Sequence, residues 1–290
     1  MDIEKQTSWG VLVALDMFLG GMGTGAFIMG FILYQLGIMK SLAITGMLLG
    51  PVFVILGLIC LLLELGSPLK SYRLFMGLST SWMSRGGLIQ ILHIISALAY
   101  VLPSFWIPEW LDSGVGMALV IIALILALAI GAYHGMILNE ARAIPLWSSS
   151  IMPLLTFLTA LCSGLGLLLS ISPAYVGLYG SAEVVSSMSI LGIAGITLII
   201  GKLITIWSLI NSRPSATYVA SIRRIWAPII VDVVCLILAL FLLSLGLVIG
   251  EETHFMWISL ISGVLLLAGG FIIRYSILRA GYYAPLQILI

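Results

Sequence analysis

Charge is what this sequence has least of. Only 8% of its 290 residues are Asp, Glu, Lys or Arg, where a water-soluble domain carries about 25%. With 62% of residues hydrophobic, no soluble core of this size needs so much apolar surface, so the chain belongs in lipid. Cysteine is scarce too. Cys60, Cys162 and Cys235 all lie in apolar runs and form no CxxC pair. An iron–sulfur cluster held by this chain alone would need about four thiolates in recognisable spacing, so none is expected; the three read as small buried residues. A net charge of +1 says nothing about nucleic acid, and no such partner is expected.

Long polar stretches are also missing. Eight apolar runs, near 9–36, 42–65, 87–107, 115–139, 151–172, 186–210, 228–250 and 256–278, are each long enough to cross a bilayer as a helix. They are continuous rather than alternating, which excludes a transmembrane β-barrel. The first run lacks a small-residue cleavage site and reads as a retained helix, not a signal peptide. The expected fold is an all-α integral membrane domain over residues 1–290. It would have eight transmembrane helices in two four-helix bundles, at about 9–139 and 151–278.

Eight spans put both termini on one side. That side holds Lys5, Lys70, Arg73, Arg85, Arg142, Arg213, Arg223, Arg224, Arg274 and Arg279. The other has Lys40 with Glu109, Asp112, Glu183, Glu251 and Glu252. The positive-inside rule then places both termini in the cytoplasm. An acidic partner docked on the basic side would account for the same bias.

Titratable side chains inside the spans are costly unless paired or hydrated, and here they gather toward the basic side. Asp16 lies about five to eight residues into the first run, roughly 10 Å deep at ~1.5 Å per residue. Glu64 ends the second run. His93 lies a few residues into the third, and Tyr133 and His134 fall near the end of the fourth. Lys202 and Asp232 also lie in this half. Polarity confined to one half suggests a pocket opening to one side rather than a pore. After Asp16, Gly20, Gly21, Gly23 and Gly25 thin the helix so that another helix or a flat ligand can approach.

A quinone suits such a pocket: an apolar body with a head whose carbonyls need donors such as Tyr133, His134 or His93, and whose protons need a carboxylate such as Asp16 or Glu64. Blander readings stand beside each. Tyr133 can be a packing residue, His93 and His134 hydrogen-bonded interior histidines, and Glu64 a partner of Arg73 or Lys70. Two functional rivals also remain. One is a haem b cytochrome, ligated by His93 and His134 from helices at matched depth. The other is a secondary transporter using Asp16 and Lys202, although related halves and broken helices are not evident.

Three stretches carry a family resemblance. "WGVLVALDMFLGGMGTGAF" resembles the first helix of the NrfD/polysulfide-reductase (PsrC-like) membrane-subunit family. "LLLELGSPLKSYRLFMGLSTSWMSRGG", residues 61–87, is similar to its acidic–Leu–Gly–x–Pro stretch and SxMSRG loop. "GAYHGMILNEARAIPLWSS", 131–149, is similar to its YTG helix end followed by PLW. His134 stands where that family usually has threonine, and Leu88 where an aromatic often follows. The resemblance implies a haem-free anchor subunit that reacts with menaquinone or ubiquinone in a respiratory oxidoreductase. A ferredoxin-like iron–sulfur subunit would dock over the pocket and link it to a molybdopterin or multihaem cytochrome catalytic subunit. It further implies that Tyr133 is on the quinone side, with Asp16 at a polar position of the first helix and Glu64 as the motif acid and proton carrier. Arg73, Ser84 and Arg85 would lie in the loop bordering pocket and partner. Many members of that family face their partner outside the cell; the basic pocket side here implies a partner in the cytoplasm.

Overall fold

A computed structural model describes residues 6, 9–64, 77, 81–176, 178, 181–212, 215–249 and 252–283. Among them the fold is all helix with no strand, and eight helices are long and apolar enough to span a membrane. The elements are α1 (Val11–Gln35), α2 (Lys40–Glu64), α3 (Trp82–Val101), α4 (Gly114–Asn139), α5 (Met152–Ile171), the short α6 (Pro173–Val176), α7 (Ser181–Asn211), α8 (Ala216–Arg224), α9 (Trp226–Ile249) and α10 (Glu252–Arg279). α6 and α8 are the two that do not span.

The helix ends follow local chemistry. Gly37, at φ +71°, lets the chain turn out of α1: its N–H reaches the Tyr34 carbonyl while that of Ile38 reaches Leu33, a glycine stop that satisfies orphan carbonyls. Ser81, Ser113 and Ser215 cap α3, α4 and α8 by accepting the N–H groups of Ser84, Gly116 and Tyr218, as N-cap serines do. The Ser81 cap changes one expectation. α3 begins at Trp82, so Ser84 and Arg85 lie in the first turn of a helix and not in a loop.

α1 and α5 form the centre. In each, 67% of the most apolar window is buried, against 33–44% in the others. α1 packs on α2, α4, α5 and α10, and α5 on α1, α4, α7 and α10. The α1–α5 crossing is backbone against backbone. A methyl on Gly25 would run into the Ala160 carbonyl, and one on Gly164 into Gly25. Small residues at a membrane crossing let the main chains approach this closely. The crossing fixes the depth of everything on α1, including Asp16 nine residues earlier.

Candidate functional site

Asp16 is 3% exposed and faces inward. Its carboxylate fits because α2 offers no side chain there: a Cβ built on Gly57 would come 3.2 Å from Asp16 Oδ1. Opposite, His134 Nε2 of α4 is 3.9 Å from Asp16 Oδ2, beyond hydrogen-bond distance. The imidazole rests over Gly20, whose built Cβ would be 3.2 Å from His134 Cε1. Tyr133 adjoins His134 with ring centroids 5.5 Å apart, and its phenol end occupies the space a side chain on Gly86 of α3 would take. Gln90, one turn further along α3, approaches the Asp16 carboxylate without a geometrically sound hydrogen bond.

The group has a member that reading the sequence missed. Arg274, counted above among the cations of the basic side, is 2% exposed inside α10. Its guanidinium donates to the carbonyls of Met17 and Phe18 on α1 and, at 3.1 Å, to that of Thr156 on α5. Gly21 is glycine for this reason: a Cβ there would overlap the guanidinium. The positive charge sits within electrostatic reach of Asp16 and ties α1, α5 and α10 together. Taking Arg274 out of the basic-side cations leaves nine against Lys40. The missed signal was Gly21 itself, a glycine facing an arginine 253 positions away.

What marks this cluster is unmet hydrogen-bonding capacity. Asp16 Oδ1, both nitrogens of His134, both amide atoms of Gln90 and Arg274 Nε are buried without a partner among the described residues. Buried polar atoms are ordinarily satisfied. Four residues from α1, α3, α4 and α10 falling short together indicate a place where water or a ligand's polar head completes the bonding.

The other sequence-selected residues lie elsewhere. Glu64 Oε1 accepts the Gly10 N–H at 3.0 Å, so it satisfies a backbone donor at the start of α1, at the rim above Asp16. Ser84 is buried in the first turn of α3, and the Arg85 guanidinium lies over the Trp82 ring at 5.1 Å. Arg73 falls outside the described residues. His93 does not join the group. Its Nδ1 is 3.0 Å from the carbonyl oxygen of Ala123, and its ring meets Phe27 edge-on. Ala123 precedes His134 by eleven residues, ~16 Å along a helix. Its depth follows from the early start of α3, which puts His93 further from the basic side than a helix beginning near 87 would. A haem iron bonds directly to both axial nitrogens, so His93 and His134 do not form the matched pair that the cytochrome reading requires.

A second buried polar group belongs to the other half. Lys202 Nζ of α7 and Asp232 Oδ1 of α9 are 2.8 Å apart, both almost wholly enclosed. Gly269 of α10 leaves room for that carboxylate.

Fold and site together define a class: a polytopic helical membrane protein with an inward-facing polar cluster below one membrane face. The chain belongs to the family described as "Polysulphide reductase, NrfD", whose profile matches residues 2–285. It is 27% identical over 180 residues to Protein NrfD of Escherichia coli K12 (54% of this chain, 57% of that protein). It is 24% identical over 180 residues to the C chain of polysulfide reductase from Wolinella succinogenes (54% of this chain, 56% of that protein). The match thus spans little more than half the length of these relatives. The protein is thus a multi-pass membrane member of that family, and one of these relatives is a chain of an oxidoreductase, polysulfide reductase.

Proposed function

We propose that this chain is the quinone-reactive subunit of such an oxidoreductase, with Asp16, Tyr133 and His134 as the head-group site. The supporting observation is the convergence of these residues at one level, with polar atoms of Asp16 and His134 unmet. The donor set suits a quinone head, since a phenol and an imidazole can donate to carbonyl oxygens while a carboxylate takes up protons. When bound, a menaquinone or ubiquinone supplies two-electron, two-proton chemistry. Tyr133 holds one head oxygen through its hydroxyl, and His134 the other through a ring nitrogen. Asp16 exchanges protons with the head group, and Arg274 stabilises the charge left on its carboxylate. Glu64, at the rim, passes protons between Asp16 and the basic side. His93, bonded to Ala123, supports α3 against α4.

In the same proposal, electrons pass to or from a ferredoxin-like iron–sulfur subunit docked over Ser84, Arg85 and the Arg73 region. That subunit connects to a molybdopterin or multihaem catalytic subunit. The protein lies in the cytoplasmic membrane with its basic side inward. The test is steady-state quinol oxidation by the assembled complex. Tyr133→Phe should raise the quinol KM about tenfold, the loss of one hydrogen bond of ~1.4 kcal/mol. Asp16→Asn should lower kcat about a hundredfold or more, the usual scale for removing a positioned proton acceptor. Wild-type kinetics in both variants would refute the assignment.

A further inference from the structure

The basic side carries a second constructed feature, remote from the polar cluster. α8 caps the space between the ends of α7 and α9, and a cavity of about 350 Å³ lies beneath it, lined by Ile210, Tyr218, Val219, Ile222, Arg223 and Trp226. Tyr218 is fixed there, its hydroxyl donating to the Leu209 carbonyl at 2.6 Å. A second cavity of about 600 Å³ adjoins it through Ile210 and follows α7 and α9 past Trp207, Ile206, Ile204, Leu203 and Val233. Its lining is entirely apolar.

Three observations identify an occupant. Trp207 and Trp226 are 70% and 48% exposed at the ends of two spans, where tryptophan marks the headgroup level. The first cavity therefore lies at headgroup depth, and the second runs about two turns of α7 further into the hydrocarbon. Arg223 lines the upper cavity and makes no hydrogen bond or ion pair among the described residues. Its neighbour Arg224 is instead engaged by the Tyr282 hydroxyl and ring. A cation without a protein partner above a purely apolar groove matches one chemistry, an anionic head on an acyl tail. We propose that this is a binding site for an anionic phospholipid, its phosphate at Arg223 and one tail in the α7–α9 groove. The site is independent of the quinone assignment.

The test uses the full-length protein purified in detergent, with retained lipid measured by native mass spectrometry after adding phosphatidylglycerol or phosphatidylcholine of the same tail length. One interfacial arginine is worth about fivefold in affinity for an anionic lipid. Wild type should retain phosphatidylglycerol about fivefold better than phosphatidylcholine. Arg223→Gln should abolish the preference, Arg223→Lys should keep it, and Arg142→Gln, on the same side just beyond α4, should leave it unchanged. A phosphatidylglycerol with short acyl tails should bind more weakly than the long-tailed lipid. Equal preference in wild type and Arg223→Gln would overturn the proposal. So would Arg223-dependent binding of inorganic phosphate that matches the lipid, which would assign the site to a free anion.

Discussion

Among the described residues, the two groups of buried charge are built in opposite ways. In the second half, Lys202 and Asp232 close on each other at 2.8 Å from neighbouring helices. In the first, Asp16 lies 3.9 Å from His134, while Arg274 spends its guanidinium on α1 and α5 carbonyls and not on the carboxylate. One group pairs its opposite charges directly and leaves a single Asp232 oxygen over. The other leaves a carboxylate oxygen, an imidazole, a carboxamide and one guanidinium nitrogen unmet, from four different helices. That second group has both donors and acceptors to offer a ligand, so burial of charge alone does not identify a site.

The sharpest way to break this contrast is to remove one partner from the closed pair. Lys202→Met strands Asp232 and should cost about 3–5 kcal/mol of stability, read as a large loss in thermal unfolding in detergent. The double variant Lys202→Met with Asp232→Leu should recover most of it. A double variant as unstable as the single would mean that the pair is not self-contained.

In the open group, stability should depend most on the glycine that admits Arg274. Gly21→Ala pushes against the guanidinium and should cost about 1–3 kcal/mol, with quinol oxidation falling in parallel as Asp16 shifts. At Glu64 the two roles separate. Glu64→Gln keeps an oxygen to accept the Gly10 N–H but carries no proton, so it should slow turnover about tenfold with an unchanged melting temperature. Glu64→Ala should lose the cap as well, about 1 kcal/mol. The smallest effect is expected at His93. His93→Asn should cost about 1 kcal/mol through its bond to Ala123 and leave the quinol KM within about twofold. A roughly tenfold change there would bring the middle of α3 into the site and blur the contrast.

Much of this arrangement could be read from the sequence because a helix has a fixed rise. Counting from the ends of apolar runs put Asp16, Tyr133 and His134 at a common level, and the structure brings the three together. The same counting misplaced His93, since Ser81 caps α3 where "SWMSRGG" reads as loop, and five extra residues carry His93 to the level of Phe27 and Ala123. Arg274 was opaque for a different reason. A lone arginine near the end of an apolar run looks like one reaching for the headgroups, and nothing local shows that it turns inward. Its destination is recorded only at Gly21, near the other terminus. Gln90 was hidden because an uncharged amide in a span draws no notice until its neighbour is a buried carboxylate.

The most direct test of the contrast is photolabelling of the assembled complex with a quinone carrying a photoreactive group on its ring, followed by peptide mapping. Labels are expected in α1 and α4 within about a turn of Asp16 and Tyr133, suppressed by excess unlabelled quinol. Labels confined to α7 and α9 around Lys202 and Asp232 would contradict a quinone site in the open group.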